Sequence, residues 1–167
     1  ETVSNTQHIG TIGKGYTGNN YLDLTDLINN DRAWRVALDG DGDRLALSQY
    51  RATYGGVDSG AVYLITFTDS NGNASTDFEN PAHVGTVGFG YNDTTTKDVD
   101  MTAYLDDNDQ FGGHLGLTKD GKILAVGAQN DDGFGNGVDN GGTVYLIEFD
   151  DSNFTGGELS ARIGNGY

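Results

Sequence analysis

The sequence predicts an all-β protein made of tandem four-stranded antiparallel units, β-propeller-blade-like or, alternatively, arranged as an open stacked β array. Three observations carry this. Gly occurs 27 times in 167 residues and proline once, at Pro81, a balance that suits short strands and tight turns and suits long helices poorly. The runs "VYLITF" (62–67) and "VYLIEF" (144–149) alternate with the period of a strand. Above all, the chain repeats itself.

"HIGTIGKGY" (8–16) returns as "HVGTVGFGY" (83–91), and "IGNGY" (163–167) brings the core of the segment a third time. The period is about 75 residues. "VALDGDGDRLAL" (36–47) matches "LGLTKDGKILAV" (115–126), and "GAVYLITFTDSN" (60–71) matches "GTVYLIEFDDSN" (142–153). These matches divide the chain into a first repeat over 1–82, a second over 83–162, and the start of a third over 163–167.

Each unit reads as about four strands. The first includes the "IGTIGKGY" segment, the second is "WRVAL" or "HLGL", the third "RLALSQ" or "ILAVGAQ", and the fourth "AVYLITF" or "TVYLIEF". "DGDGD" and "KDG" are Asp-Gly hairpin turns between the second and third. In the fourth, Val62, Leu64 and Thr66 oppose Tyr63, Ile65 and Phe67. Both faces are largely apolar, which predicts a strand sandwiched between neighbouring sheets. "YLDLTDLI" (21–28) fits a strand or a short helical turn. The repeats differ mainly in their connections, as surface loops tolerate.

One four-stranded sheet cannot bury both faces, and two repeats leave outer faces open. The chain is therefore expected to be a slice of a longer array, or a subunit completed by neighbouring repeats or copies of itself. Its first residue, Glu1 rather than Met, also suggests a processed or excised piece.

Charge narrows the partners. With 25 acidic and 9 basic residues the formal net charge is −16, which repels phosphate backbones and anionic membranes. Cysteine is absent, so disulfides and thiolate chemistry are excluded. No stretch approaches the ~20 apolar residues of a membrane span, so neither nucleic-acid binding nor membrane insertion is expected.

The loop "NDDGFGNGVDN" (130–140) is a candidate calcium site. Calcium takes six to eight oxygens, and Asp131, Asp132, Asn136 and Asp139 supply side-chain oxygens while Gly133 and Gly135 allow a tight path. The competing reading is an Asx-rich loop that caps its own backbone. As a sheet-tip connection first and a calcium site second, the loop stays open. Asp39, Asp41 and Asp43 in "DGDGD" are a weaker metal candidate, because the matching turn keeps only Asp120. The cluster over 106–110 reads as loop solvation.

Other chemistry is sparse. His8 and His83 recur in register, which favours a structural hydrogen bond over catalysis, and His114 is unmatched. No zinc spacing, nucleophile elbow or distinguished carboxylate pair occurs, so no enzyme is expected. Tyr63 and Tyr145 match, as do Tyr16, Tyr91 and Tyr167, and this favours packing. Trp34, Tyr50 and Tyr54 lack aromatic counterparts and are candidates for a sugar- or protein-contact patch. Three sequons begin at Asn73, Asn92 and Asn153, all in predicted loops. Ile163, Gly164 and Tyr167 are candidate assembly residues, through strand donation to a sheet edge.

The pattern running from Phe111-Gly112 through "LAVGA", "NDDGFGN" and "VYL" resembles the FG-GAP repeat of integrin-α-type β-propellers. It is similar in particular to bacterial versions in very long, haemagglutinin-like secreted surface proteins. The first repeat departs from it, with Ala33-Trp34 in place of Phe-Gly and "LALSQ" in place of "LAVGA". The resemblance implies propeller-like blades, an extracellular or cell-surface location and a structural or adhesive role. A lectin-like or protein-ligand-binding propeller is the alternative.

Overall fold

The computed structural model describes residues 8–28 and 35–167. The protein is all-β, with one 3₁₀ turn over Phe134–Asn136 and no α-helix among the described residues. None of those residues forms a helix long and apolar enough to cross a membrane.

Two short strands, β1 (Thr11–Gly13) and β2 (Tyr21–Asp23), form a parallel pair. The first large sheet follows in chain order: β3 (Arg35–Leu38), β4 (Arg44–Gln49), β5 (Ala61–Thr66), β6 (Ala82–Gly88) and β7 (Val99–Asp100). It is antiparallel except for the parallel β6–β7 edge. The second large sheet comprises β8 (Phe111–Leu117), β9 (Ile123–Ala128), β10 (Thr143–Glu148) and β11 (Glu158–Gly164), all antiparallel. Among the described residues no sheet closes on itself.

Local chemistry fixes the hairpins. Asp39 Oδ1 accepts the backbone N–H groups of Gly42, Asp43 and Arg44 at 2.8, 3.1 and 3.2 Å, which shapes the turn from β3 to β4. In the turn from β8 to β9, Asp120 Oδ1 accepts from Thr118 Oγ1 and from the Lys122 N–H, and Gly121 takes a φ of 69°. These are Asx-type turns, in which a short carboxylate replaces a backbone acceptor.

The sheets run out of phase with the sequence repeat. The "IGxGY" segment does not open the sheet of its own repeat. It forms the fourth strand of the sheet before it: β6 pairs with β5, and β11 with β10. β1 is the same segment again, paired only with β2 among the described residues. Residues 21–28 are strand and helical turn in succession, for after β2 the N–H groups of Leu27 and Ile28 both donate to the Leu24 carbonyl.

All six residues of β5 are buried. Val62 and Leu64 pack into the core shared with the second sheet, whereas Tyr63, Ile65 and Phe67 belong to the core under β1 and β2. β10 is buried on one face only, so the expected sandwich holds for the first copy of this strand and not for the second.

Candidate interaction surface

The two large sheets pack face to face along a seam of buried side chains. Ala46, Val62, Leu64 and Val87, all fully buried, form the trailing face of the first sheet. Against them lie Leu124, Val126, Tyr145 and Ile147 of the second sheet, with Leu115 and Leu117 partly buried beside them. Fully burying one such side chain contributes about 1.5–3 kcal/mol.

Polar contacts register the seam. Ser48 Oγ donates to the Gly112 carbonyl at 2.7 Å, the Phe111 N–H to the Ser59 carbonyl at 2.9 Å, and the Gly40 N–H to the Lys119 carbonyl at 2.9 Å. Arg44 reaches across to the Ser152 carbonyl and Asn153 Oδ1. Gly112, at φ 99°, lies so near Ser48 that a Cβ would stand 2.8 Å from the Ser48 Cβ. Phe111-Gly112 is therefore a seam element: the ring is fully buried edge-on to Tyr145, and the glycine permits the close approach.

Internal matching shows that each face of this seam recurs once more, the leading face partly covered by β1 and β2 and the trailing face partly exposed. The first sheet carries its own version of the leading face in Val36, Leu38, Leu45, Phe67 and Phe78. They border a largely apolar cleft of about 530 Å³ with Ile9 and Ile12 of the β1 segment. Val36 is 65% exposed, where its counterpart Leu115 is packed against the core. The second sheet repeats the trailing face in Ala125, Val144, Leu146 and Ile163. There Val144 is 38% and Ile163 61% exposed, where Val62 and Val87 are fully covered.

A second recurring device clamps the glycine turn after each "IG" strand. The Gly15 N–H donates to Asp23 Oδ1 at 2.7 Å and to Thr25 Oγ1 at 3.0 Å. The Gly90 N–H meets Asp100 Oδ1 at 3.2 Å and Thr102 Oγ1 at 3.0 Å. The Thr25 hydroxyl and the backbone N–H groups of Gly15 and Thr25 hold the Asp23 carboxyl below its usual range. For Asp100, burial works to raise the value, but bonds from Thr102 and Gly90 outweigh it and hold the carboxyl low. The signal was present in the sequence as "LDLT" and "VDMT", and the expectations for the chain passed over it.

The calcium candidates do not converge. Asp131 is buried; its Oδ1 accepts from the Gly133 N–H and Thr143 Oγ1, and its Oδ2 meets the Tyr145 hydroxyl. Asp132 Oδ1 accepts the Asn140 N–H at 2.7 Å, and Asp139 Oδ1 accepts from Asn140 Nδ2. Asn136 reaches Asp106 instead. Asp39 is taken up by its own turn, Asp43 stands 3.4 Å from the Arg44 guanidinium, and Asp41 lines a shallow depression with Lys119 and Asp120. Among the described residues no group of three or more His, Asp and Glu side chains is placed to hold a metal ion.

The aromatic candidates also separate. Tyr54, 59% exposed, stacks on Tyr91 with ring centroids 4.6 Å apart. Phe134 also neighbours the matching tyrosine, Tyr167, but edge-on, with ring centroids 5.9 Å apart. Tyr50 borders a different depression with Arg35, Gly113 and Gln129. Trp34 lies outside the described residues. The Arg162 guanidinium sits over Tyr167, Tyr104 and Phe134 at 4.6, 5.1 and 5.9 Å. His8 Nε2 and His83 Nε2 meet Thr11 Oγ1 and Thr86 Oγ1 at 2.9 and 3.0 Å. Of the assembly candidates, Ile163 and Gly164 lie on β11 opposite Val144 and Thr143, and Tyr167 is part-exposed in the turn beyond.

No protein-family model matches this chain, and no curated protein is similar enough to count as a relative.

Proposed function

We propose that the chain is a non-enzymatic structural repeat module of an extracellular surface protein or fibre, built of FG-GAP-like, propeller-type blades. Its work is to pass one packing interface from repeat to repeat and to present its loops for adhesion to surface proteins or glycans. The observation that carries this reading is the seam. Its two faces meet once inside the chain, and each recurs, one partly covered by β1 and β2 and the other partly exposed at Val144 and Ile163. The acidic surface, the Asx-rich loops and the absence of cysteine are compatible with an exported, solvated array. Calcium in the loop over 131–139 is a separable part of the proposal, since binding would recruit carboxylates now bonded to backbone N–H groups.

Sedimentation of the intact chain over a concentration series, with calcium and then with chelator, tests the reading. Expected is concentration-dependent association that Val144→Glu and Val36→Glu each abolish. A wild-type protein that stays monomeric throughout overturns it. Collapse of the assemblies on chelation alone would assign the acidic loop to calcium.

A further inference from the structure

Arg44 and Arg51 each meet a carboxylate, at 3.4 and 2.9 Å. Arg162 meets none within ion-pair distance among the described residues; its guanidinium lies instead over the rings of Tyr167, Tyr104 and Phe134. We propose that these groups form a binding site for a terminal hexuronic acid residue of a glycan, in which Arg162 holds the carboxylate and the aromatic rings meet the face of the sugar. This rests on the adhesive part of the proposed function, and it adds the place and the class of ligand.

Each part is placed by the fold. Arg162 stands on β11 directly opposite Tyr145 of β10. The Tyr145 hydroxyl holds the Tyr104 carbonyl at 2.9 Å, and Tyr104 sits in a helical turn where its own N–H and that of Leu105 donate to the Met101 carbonyl. Phe134 comes from the loop after β9, and its N–H donates to the Asn165 carbonyl at 3.4 Å. A Cβ on the preceding Gly133 would stand 2.7 Å from that same oxygen, so glycine permits the approach. Asn136 Nδ2 donates to Asp106 and ties this loop to the helical turn. Together they border a cleft of about 320 Å³, near the lower end of the roughly 300–1,000 Å³ of small-molecule sites.

The chemistry selects the ligand. Rings packed on a guanidinium restrain its plane and leave its N–H edge for a carboxylate, which it meets in two parallel bonds. Tyr104 and Phe134 are 39% and 61% exposed, and the negative face of an aromatic ring attracts the C–H groups on the face of a pyranose. Asn136 and Asp106 border the same cleft and offer partners for sugar hydroxyls. A polyanion is repelled by the net charge of −16, whereas a terminal uronic acid brings one charge at its ring edge. A neutral sugar would leave the guanidinium without an anion. The first copy lacks the cation, since Thr86 and Leu27 stand where Arg162 and Tyr104 do. It also shows that a loop aromatic beside this tyrosine stays open where the chain runs on: Tyr54 is 59% exposed against Tyr91, with residues 92–98 following.

Titration of the full chain with the methyl glycosides of glucuronic and galacturonic acid, followed by proton–nitrogen NMR, tests this. Expected are saturable shifts at the Arg162 Nε–H and at the amides of Tyr104, Phe134 and Asn136. Methyl glucoside, methyl galactoside and acetate should bind weaker by about tenfold or more. Arg162→Met removes the charge and keeps the stem, and Phe134→Ala removes an exposed ring; each should weaken binding about tenfold, with the spectrum elsewhere unchanged. Arg162→Lys should recover only part of the loss, because it keeps the charge without the fork. A neutral glycoside or acetate that binds as tightly as the uronides overturns the ligand class. Binding that both Arg162→Met and Phe134→Ala leave intact overturns the location. No saturable shift at this cleft overturns the site and leaves the seam standing, since sedimentation of the unliganded chain reads that separately.

Discussion

The Tyr145 hydroxyl lies 2.9 Å from the backbone carbonyl of Tyr104, tying β10 to the helical turn after β7. Tyr63 makes the same bond to the Leu27 carbonyl, also at 2.9 Å. Two tyrosines thus do by one hydroxyl each what a longer connection would otherwise need. Their second contacts differ: Tyr145 meets the buried Asp131 carboxylate and Tyr63 the Gln49 amide. A bond to a charged group contributes about 1.5–3 kcal/mol and a neutral one about 1 kcal/mol. Tyr145→Phe is therefore expected to lower the urea midpoint more than Tyr63→Phe. Equal losses would remove Asp131 from the account.

Gly60 and Gly72 separate close approach from backbone strain. Both have positive φ, 91° and 82°, but a Cβ on Gly60 would collide with the Phe111 backbone while one on Gly72 meets nothing within 4 Å. Gly72→Ala is expected to cost about 1–2 kcal/mol from the left-handed conformation alone. Gly60→Ala adds displacement of the seam and should exceed it by on the order of 2 kcal/mol. Chemical denaturation of the two variants measures the difference.

The clamp predicts a local effect. Asp100→Ala removes an acceptor of the Gly90 N–H and leaves Asp23 untouched. Hydrogen exchange should accelerate at Gly90 and stay unchanged at Gly15. Acceleration at both would mean that the two turns open together.

Stability should carry an acid-side slope from Asp109. Burial pushes its carboxyl up to about 6, with the charges of Asp131, Asp106 and Asp132 adding to the rise and the Asp106 N–H opposing it. The folded chain therefore holds this proton more tightly than the unfolded chain, whose value is near 3.8. This contribution favours folding at low pH and is lost as pH rises from about 4 to about 6. Asp109→Asn should flatten that part of the curve, measured as thermal midpoint against pH relative to wild type.

Association, if the proposed joint forms, must overcome like charge. Each copy carries −16, and salt screens repulsion beyond about 8–10 Å at physiological strength. Raising sodium chloride from low to moderate concentration should strengthen association, read by sedimentation. Weakening with salt would point to specific ion pairs across the joint.

The all-β class and the hairpins from β3 to β4 and from β8 to β9 were legible in the chain, because Asp-Gly turns and period-two apolar runs are local signals. The two faces of β5 were legible for the same reason. The phase was not. Whether "IGTIGKGY" begins one sheet or ends another depends on which backbone edge it meets, and both partners are apolar strands distant in sequence. Residues 21–28 were ambiguous because Leu22, Leu24, Leu27 and Ile28 satisfy a strand and then a helical turn. In the acidic loop, the Asx-type bonds to the carboxylates of Asp131 and Asp132 come from the Gly133, Thr143 and Asn140 donors, partners that composition alone does not name.

The offset between sequence repeat and sheet bears on how such chains are cut and duplicated. A recombination event that moves residues from one "IGxGY" to the next carries off the outer strand of a neighbour and leaves its own behind. Insertion or loss of whole units then heals without a scar, because each new junction receives the strand that its predecessor lacks. A break inside the 92–98 connection, by contrast, separates β6 from β7. Proteolytic nicks there should be felt by two sheets at once.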